Sequence, residues 1–154
     1  MISESAPTTH RPHKEQKLAT SVITGRDISI TIDSKVYDPQ VLSTTLTTTL
    51  DRQAYETIDG RVFKAIDSDA TIEIEMLADW GASSGGADSF CEIMWSKADS
   101  APNTAVTYSF TAASGAVFSG SLYPSFPAAG GSGKDAQTVT FTLQCTAKPT
   151  LTIS

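Results

Sequence analysis

The sequence predicts a mainly β fold: two packed antiparallel sheets, a β-sandwich or partial barrel, with one flanking short α-helix. Three observations carry this. The 21 Thr and 19 Ser make up 40 of the 154 residues, and β-branched Thr suits a pleated, half-buried surface. Charged residues are only 18%, below the roughly 25% of ordinary globular chains, so neutral hydroxyls must supply much of the polar surface. Finally, apolar and polar residues alternate with period two in run after run, while a helical stripe occurs once. The length is that of one domain, for which roughly 100–200 residues is usual.

The elements follow in order. Residues 1–24 are polar, hold Pro7, Pro12, His10, His13, Arg11, Lys14 and Lys17, and read as an N-terminal arm ahead of a domain at 25–154. Ile28, Ile30 and Ile32 alternate with Ser29, Thr31 and Asp33, which gives a half-buried strand. Asp33-Ser34 is a turn, and Val36-Tyr37 a short return before Asp38-Pro39. From Val41 to Leu50, Leu42, Leu46 and Leu50 share a face with Thr44 and Thr48. Five Thr and one Ser within eight positions favour strand over helix here. Residues 51–65 read as an extended segment with a hairpin tip, since Asp59-Gly60 is a type I′ turn pair. Ala70, Ile72, Ile74 and Met76 alternate with Thr71, Glu73 and Glu75, the cleanest strand in the chain.

Trp80-Gly81 ends that strand, and 82–87 is a loop of small residues. Ser89 with Glu92 has the spacing of a capping box, opening a short helix with Phe90, Ile93 and Met94 on its buried stripe and Cys91, Trp95 and Ala98 widening it. So short an apolar helix must pack across a sheet. Val106, Tyr108 and Phe110 predict a strand, Ser114-Gly115 a turn, and Ala116 to Leu122 its return. Pro124 and Pro127 break it, and Gly130, Gly131 and Gly133 mark a loop. Val139, Phe141, Leu143 and Cys145 alternate with Thr. Leu151 to Ile153 can add an edge strand.

Charge narrows the function classes. Net charge is −6. The stretch Asp51–Asp99 holds 11 acidic and 4 basic residues, a net of −7, and the remainder is +1. That argues against a basic groove gripping nucleic acid by its phosphates, but not against an acidic channel through which nucleic acid passes. No run of 18 apolar residues exists, so no membrane span or insertion is expected. The N-terminus lacks the apolar stretch of a signal peptide.

Catalytic chemistry finds little support. Both histidines lie in the polar arm, where a general base would lack an ordering network. Cys91 and Cys145 fall at apolar positions and read as buried thiols. AAGGSGKD at 128–135 departs from the phosphate-loop pattern at Ala128 and Asp135. Asp67/Asp69 and Glu73/Glu75 are paired carboxylates at i and i+2, on one face of a strand. Without a cleft they read as a solvated face or as the wall of a polymeric channel. No enzyme activity, cofactor or metal site is expected.

Taken together, GRDISITID, DRQAYETIDGRVFKA, ATIEIEMLADWG, the helix SFCEIMWSKA, TAVTYSF and the hairpin ending in QTVTFTLQC give the chain a likeness. Over roughly residues 20–154 it resembles the tail tube proteins, or major tail proteins, of long, non-contractile-tailed bacteriophages. The resemblance implies a structural subunit of the virion tail, assembled in the host cytoplasm. Its copies would form hexameric rings stacked into a hollow tube, a conduit for DNA ejection. It implies homo-oligomerisation, contact with other tail proteins at the tube ends and with the tape measure protein, and DNA in transit without specific binding. Residues 51–65 would be the inter-subunit segment, with Arg52, Tyr55, Ile58, Arg61 and Phe63 as contacts. Asp59, Asp67, Asp69, Glu73, Glu75 and Asp79 would be the acidic residues facing the lumen. Two other readings stay open: the inner tube of a contractile tail or secretion-like system, and a β-sandwich ligand-binding module. The latter needs exposed aromatics on one face, whereas Trp80, Trp95, Tyr37, Tyr55, Tyr108 and Tyr123 read as scattered among core and edge positions.

Overall fold

The computed structural model of the chain describes residues 23–80 and 89–154. The expected arm at 1–24, apart from Ile23 and Thr24, lies outside the described residues, as do both histidines and the loop at 82–87. A 3-10 turn at Gly25–Asp27 leads into β1 (Ser29–Ile32), β2 (Lys35–Val36), β3 (Val41–Thr57) and β4 (Gly60–Leu77). Then come α1 (Phe90–Ser100), β5 (Val106–Ala113), β6 (Ala116–Leu122), β7 (Thr138–Gln144) and β8 (Thr150–Ile153). One sheet has five strands in the order β2-β1-β5-β6-β8, the other three in the order β3-β4-β7, and all pairs are antiparallel.

The period-two runs bury their apolar halves as the sequence predicts. Ile30, Ile32, Val106, Tyr108, Phe110 and Leu122 come from the larger sheet, and Ala70, Ile72, Ile74, Met76, Val139, Phe141 and Leu143 from the smaller, into one core. The two sheets meet along one side through a bridge between Leu122 and Cys145, with Tyr123 N–H donating to the Gln144 carbonyl at 2.9 Å and Thr146 N–H to that of Ser121 at 2.9 Å. Helix α1 closes the core with Phe90, Cys91, Met94 and Ala98. Phe90 stands edge-on to both Tyr37 and Phe141, ring centroids 4.8 Å apart in each case.

Four local expectations are corrected. Ile93 is half-buried at the rim of the helix and not in its buried stripe, because Cys91 and Ala98 face the core instead. The Ser89–Glu92 box is not reciprocal: the Ser89 hydroxyl makes no cap bond to the backbone and lies 3.4 Å from the Glu92 carboxylate, to which it donates. Leu42 is exposed, because it is the extra residue of a bulge between the pairs Val41–Met76 and Ser43–Glu75. The hairpin tip is Ile58-Asp59, closed by the pair Thr57–Gly60. Neither tip residue has positive φ, and Gly60 takes it instead at +130°. The type I′ turn lies at Asp33-Ser34, where φ is 52° and 65°.

The segment at 51–65 is a continuous ladder. β3 and β4 stay paired from Val41–Met76 out to Thr57–Gly60, across a second bulge at Ile66. Every residue from Thr47 to Asp67 is exposed. At about 3.3 Å per residue the ladder runs roughly 30 Å beyond Ala70, its last core side chain.

Truncating Phe141 to Ala should cost about 3–5 kcal/mol in denaturant unfolding, as a fully buried ring between sheet and helix. Ile93→Ala should cost clearly less, since Ile93 is only half-buried. Equal losses at the two sites would contradict this placement of the helix.

Candidate functional site

Two surfaces stand apart from the core, and both belong to the three-stranded sheet. The first is its outer face. Strand alternation sends Glu73 and Glu75 away from the core while Ile72, Ile74 and Met76 fill it. Glu73 lies between Thr45 on β3 and Thr142 on β7, and Glu75 between Ser43 and Thr140. The Ser43 hydroxyl donates to the Glu75 carboxylate at 3.4 Å. Further along the same face Asp69 sits opposite Thr49, and Asp67 opposite Asp51. Gln144 donates its side-chain amide to Asp69. This face, from Ser43 to Asp51, Asp67 to Leu77 and Thr138 to Gln144, thus carries five carboxylates, a row of hydroxyls and no Lys or Arg.

The outward positions of the five-stranded sheet are different. Thr31, Ser109 and Ser119 align across β1, β5 and β6, with Thr107 and Ser121 as the next pair. These positions are hydroxyls without charge. The acidic excess of the middle third is therefore concentrated on one sheet.

Not every expected acidic residue joins this face. Asp59 is at the hairpin tip, at the far end of the ladder. Asp79 lies past the end of β4, half-buried, and accepts a hydrogen bond from the Gln40 side chain at 2.9 Å. Asp67, Asp69, Glu73 and Glu75 are brought together, and Asp51 joins them through the cross-strand register.

The second surface is the distal hairpin, which carries all five expected contact residues. Tyr55 stands opposite Val62, Ala54 opposite Phe63 and Glu56 opposite Arg61. Arg61 Nε donates to Glu56 Oε1 at 2.8 Å, and its guanidinium lies over the Phe63 ring at 5.8 Å. The pairing splits the apolar side chains, with Tyr55 and Val62 on one side of the ribbon and Phe63 on the other. Leu50, Tyr55, Ile58, Val62, Phe63 and Ile66 are all exposed. A two-stranded ribbon of this length, apolar on both sides, is marginal in water by itself.

A third cluster was not legible in the sequence. Trp80, Trp95 and Phe126 meet on the outer side of α1, Trp95 edge-on to Trp80 at 6.5 Å and to Phe126 at 4.9 Å. All three are partly exposed. The aromatics are thus less scattered than their sequence positions imply. Among the described residues no group of three His, Cys, Asp or Glu side chains could hold a metal ion, and no helix is long and apolar enough to cross a membrane.

No family model and no curated protein matches the chain. Solved structures do. A chain in the virion of a native gene transfer agent particle aligns at a TM-score of 0.66 with 11% identity, covering 86% of this chain and 99% of that one. A chain in the tail of the empty gene transfer agent particle, solved by helical refinement with C6 symmetry, aligns at 0.62 with 10% identity, covering 86% and 99%. A chain of the anti-feeding prophage cap, which terminates that tube, aligns at 0.58 with 12% identity, covering 94% and 100%. At these identities the likeness establishes the fold: two antiparallel sheets and one helix in the tail-tube-like arrangement.

The buried thiols give a pH test. Burial pushes the Cys91 and Cys145 thiols above their ordinary value of 9.0, and burial also raises Tyr108, whose hydroxyl accepts from Cys145 Sγ at 3.6 Å. Above pH 9 the unfolded chain therefore releases protons that the folded chain keeps, and stability falls as pH rises. Unfolding free energy should decline from pH 8.5 to 10.5, and Cys91→Ala/Cys145→Ala should flatten the decline. A thiol reagent at pH 8 should label neither cysteine until the chain unfolds. Rapid labelling of the native protein would contradict the burial.

Proposed function

We infer that the chain is a structural, non-catalytic subunit of a tail tube, whose copies close into six-membered rings that stack into a hollow conduit for DNA. The observation that carries this reading is the distal hairpin: a ladder of 21 exposed residues, Thr47 to Asp67, with apolar side chains on both sides and nothing among the described residues to cover them. The tail-tube-like fold supports the same reading.

Among the described residues β3 is the outer strand of the smaller sheet, so its 17 residues present a long row of unpaired backbone groups. Such an edge is a template for pairing with another chain. At the other side of the sheet, β7 is joined to the larger sheet, among the described residues, by the bridge at Cys145. Pairing the β3 edge of one copy with the β7 side of the next would extend the three-stranded sheet around a ring, and ring closure would leave no edge. The acidic, cation-free face would then line the bore, where negative potential keeps phosphates from adhering. The neutral hydroxyl face and α1 would lie outside. Arg52, Tyr55, Ile58, Arg61 and Phe63 would contact neighbouring subunits. The remaining partners would be tail proteins at the tube ends and the tape measure protein. The protein would reside in the virion tail after assembly in the host cytoplasm.

A second reading is favoured by the likeness to the tube-terminating cap of the anti-feeding prophage: a subunit that forms one ring at the end of a tube. Electron microscopy of the purified protein separates the two, since a tube subunit grows stacks and a cap stops at single rings.

Replacing Tyr55–Phe63 with a two-residue turn removes only exposed ladder. The shortened chain should melt as the monomer does and form no tubes. Normal tubes from it would end the assignment of the hairpin as a contact element.

A further inference from the structure

The two ends of β3 carry complementary features. At its start, the groove where the 3-10 turn and β1 face the first residues of β3 encloses about 430 Å³ and is lined by Arg26, Ile28, Asp38, Val41, Leu42 and Thr44, among others. Its walls are apolar at Ile28, Val41 and the bulged, exposed Leu42. Arg26 is the cation among the lining residues, and no ion pair to it occurs among the described residues. The Asp38 carboxylate is engaged, with Oδ1 accepting from Ile30 N–H at 2.8 Å. At the far end of the ladder, Ile58 is fully exposed, with Asp59 next to it at the outermost point of the turn.

We propose that this groove is the receptor for the hairpin tip of another copy of the chain, Ile58 entering between Ile28 and Leu42 and the Asp59 carboxylate meeting Arg26. The proposal rests on the tube reading above and specifies its contact. Two considerations support this occupant. Charge and polarity match: a lone branched aliphatic beside a carboxylate on one part, an apolar slot beside a guanidinium on the other. And the chain's own tip cannot reach its own groove. Ile58 follows the last residue of β3, so nearly the whole strand separates it from Thr44, roughly 45 Å at the usual rise, and the hairpin is paired over its whole length. Tip and groove face opposite ends of one rigid ladder, so the contact is head-to-tail. A heterologous contact of that kind repeats without limit along its axis. It would set an axial repeat of at most roughly 50 Å, the span from Leu42 to Ile58 at that rise.

The test uses the full chain with exposed substitutions. Arg26→Glu and Asp59→Arg should each raise the protein concentration needed for assembly at least about tenfold, because each leaves like charges facing across the contact. The chain carrying both should recover to within about threefold of the original, as a directly paired contact requires in a double-mutant cycle. As a second measurement, chains bearing Ile58→Cys mixed with chains bearing Leu42→Cys should form an intermolecular disulfide on oxidation within the assembly; native Cys91 and Cys145 are buried and do not compete. Single reversals that assemble normally, a double variant no better than the singles, or tubes in which the two introduced thiols stay unlinked would each overturn this contact while leaving the tube reading in place. An original chain that stays monomeric at every concentration would overturn both.

Discussion

The structure depends on a ladder that outruns its core. β3 and β4 are hydrogen-bonded to each other over their whole length, yet only the end of the ladder next to β7 and the larger sheet has a core to cover. Backbone pairing within the hairpin is complete, so what the distal half lacks is apolar cover. Two strands without a third layer gain little from burial, and these two carry Leu50, Tyr55, Ile58, Val62, Phe63 and Ile66 in the open. Among the described residues the outer edge of β3 adds unpaired backbone along the same element. Neither deficit is met by the described residues of the chain.

Charge follows the same geometry. With so few charged residues, the outer faces of both sheets are made from Thr and Ser. The carboxylates are added to one face only, by placing Asp or Glu at the outward positions of β4 and at Asp51. Because the inward positions of β4 are Ala70, Ile72, Ile74 and Met76, these carboxylates can be present without disturbing the core. A sheet of this design has one face committed to packing and the other free to carry potential.

Much of this was legible in the sequence, because strand alternation states burial directly. Ile30, Ile32, Val106, Tyr108, Phe110, Val139, Phe141 and Leu143 are buried where the period places them. The turn at Asp33-Ser34 and the shared face of Glu73 and Glu75 were also readable. The ladder through 51–65 was less so, because there charged and apolar residues fall on both faces and the alternation that marks a half-buried strand is lost. A strand with no core to face need not alternate. The bulge at Leu42 follows from register, which depends on the partner strand. The meeting of Trp80, Trp95 and Phe126 depends on packing between distant segments. Asp51 could have been assigned to the acidic face by counting back along β3 in steps of two, had the strand been extended past Leu50. Asp59 and Asp79 share only the charge of that face and not its geometry.

The central claim is that the acidic face of the β3-β4-β7 sheet turns inward when copies assemble. It is tested most directly by a cryo-electron microscopy map of the assembled protein in which the radii of Glu73 and Trp95 are measured from the axis. The account predicts Glu73 and Glu75 on the wall of the bore, with helix α1 and Trp95 at larger radius. A map with α1 nearer the axis than the two glutamates would contradict it.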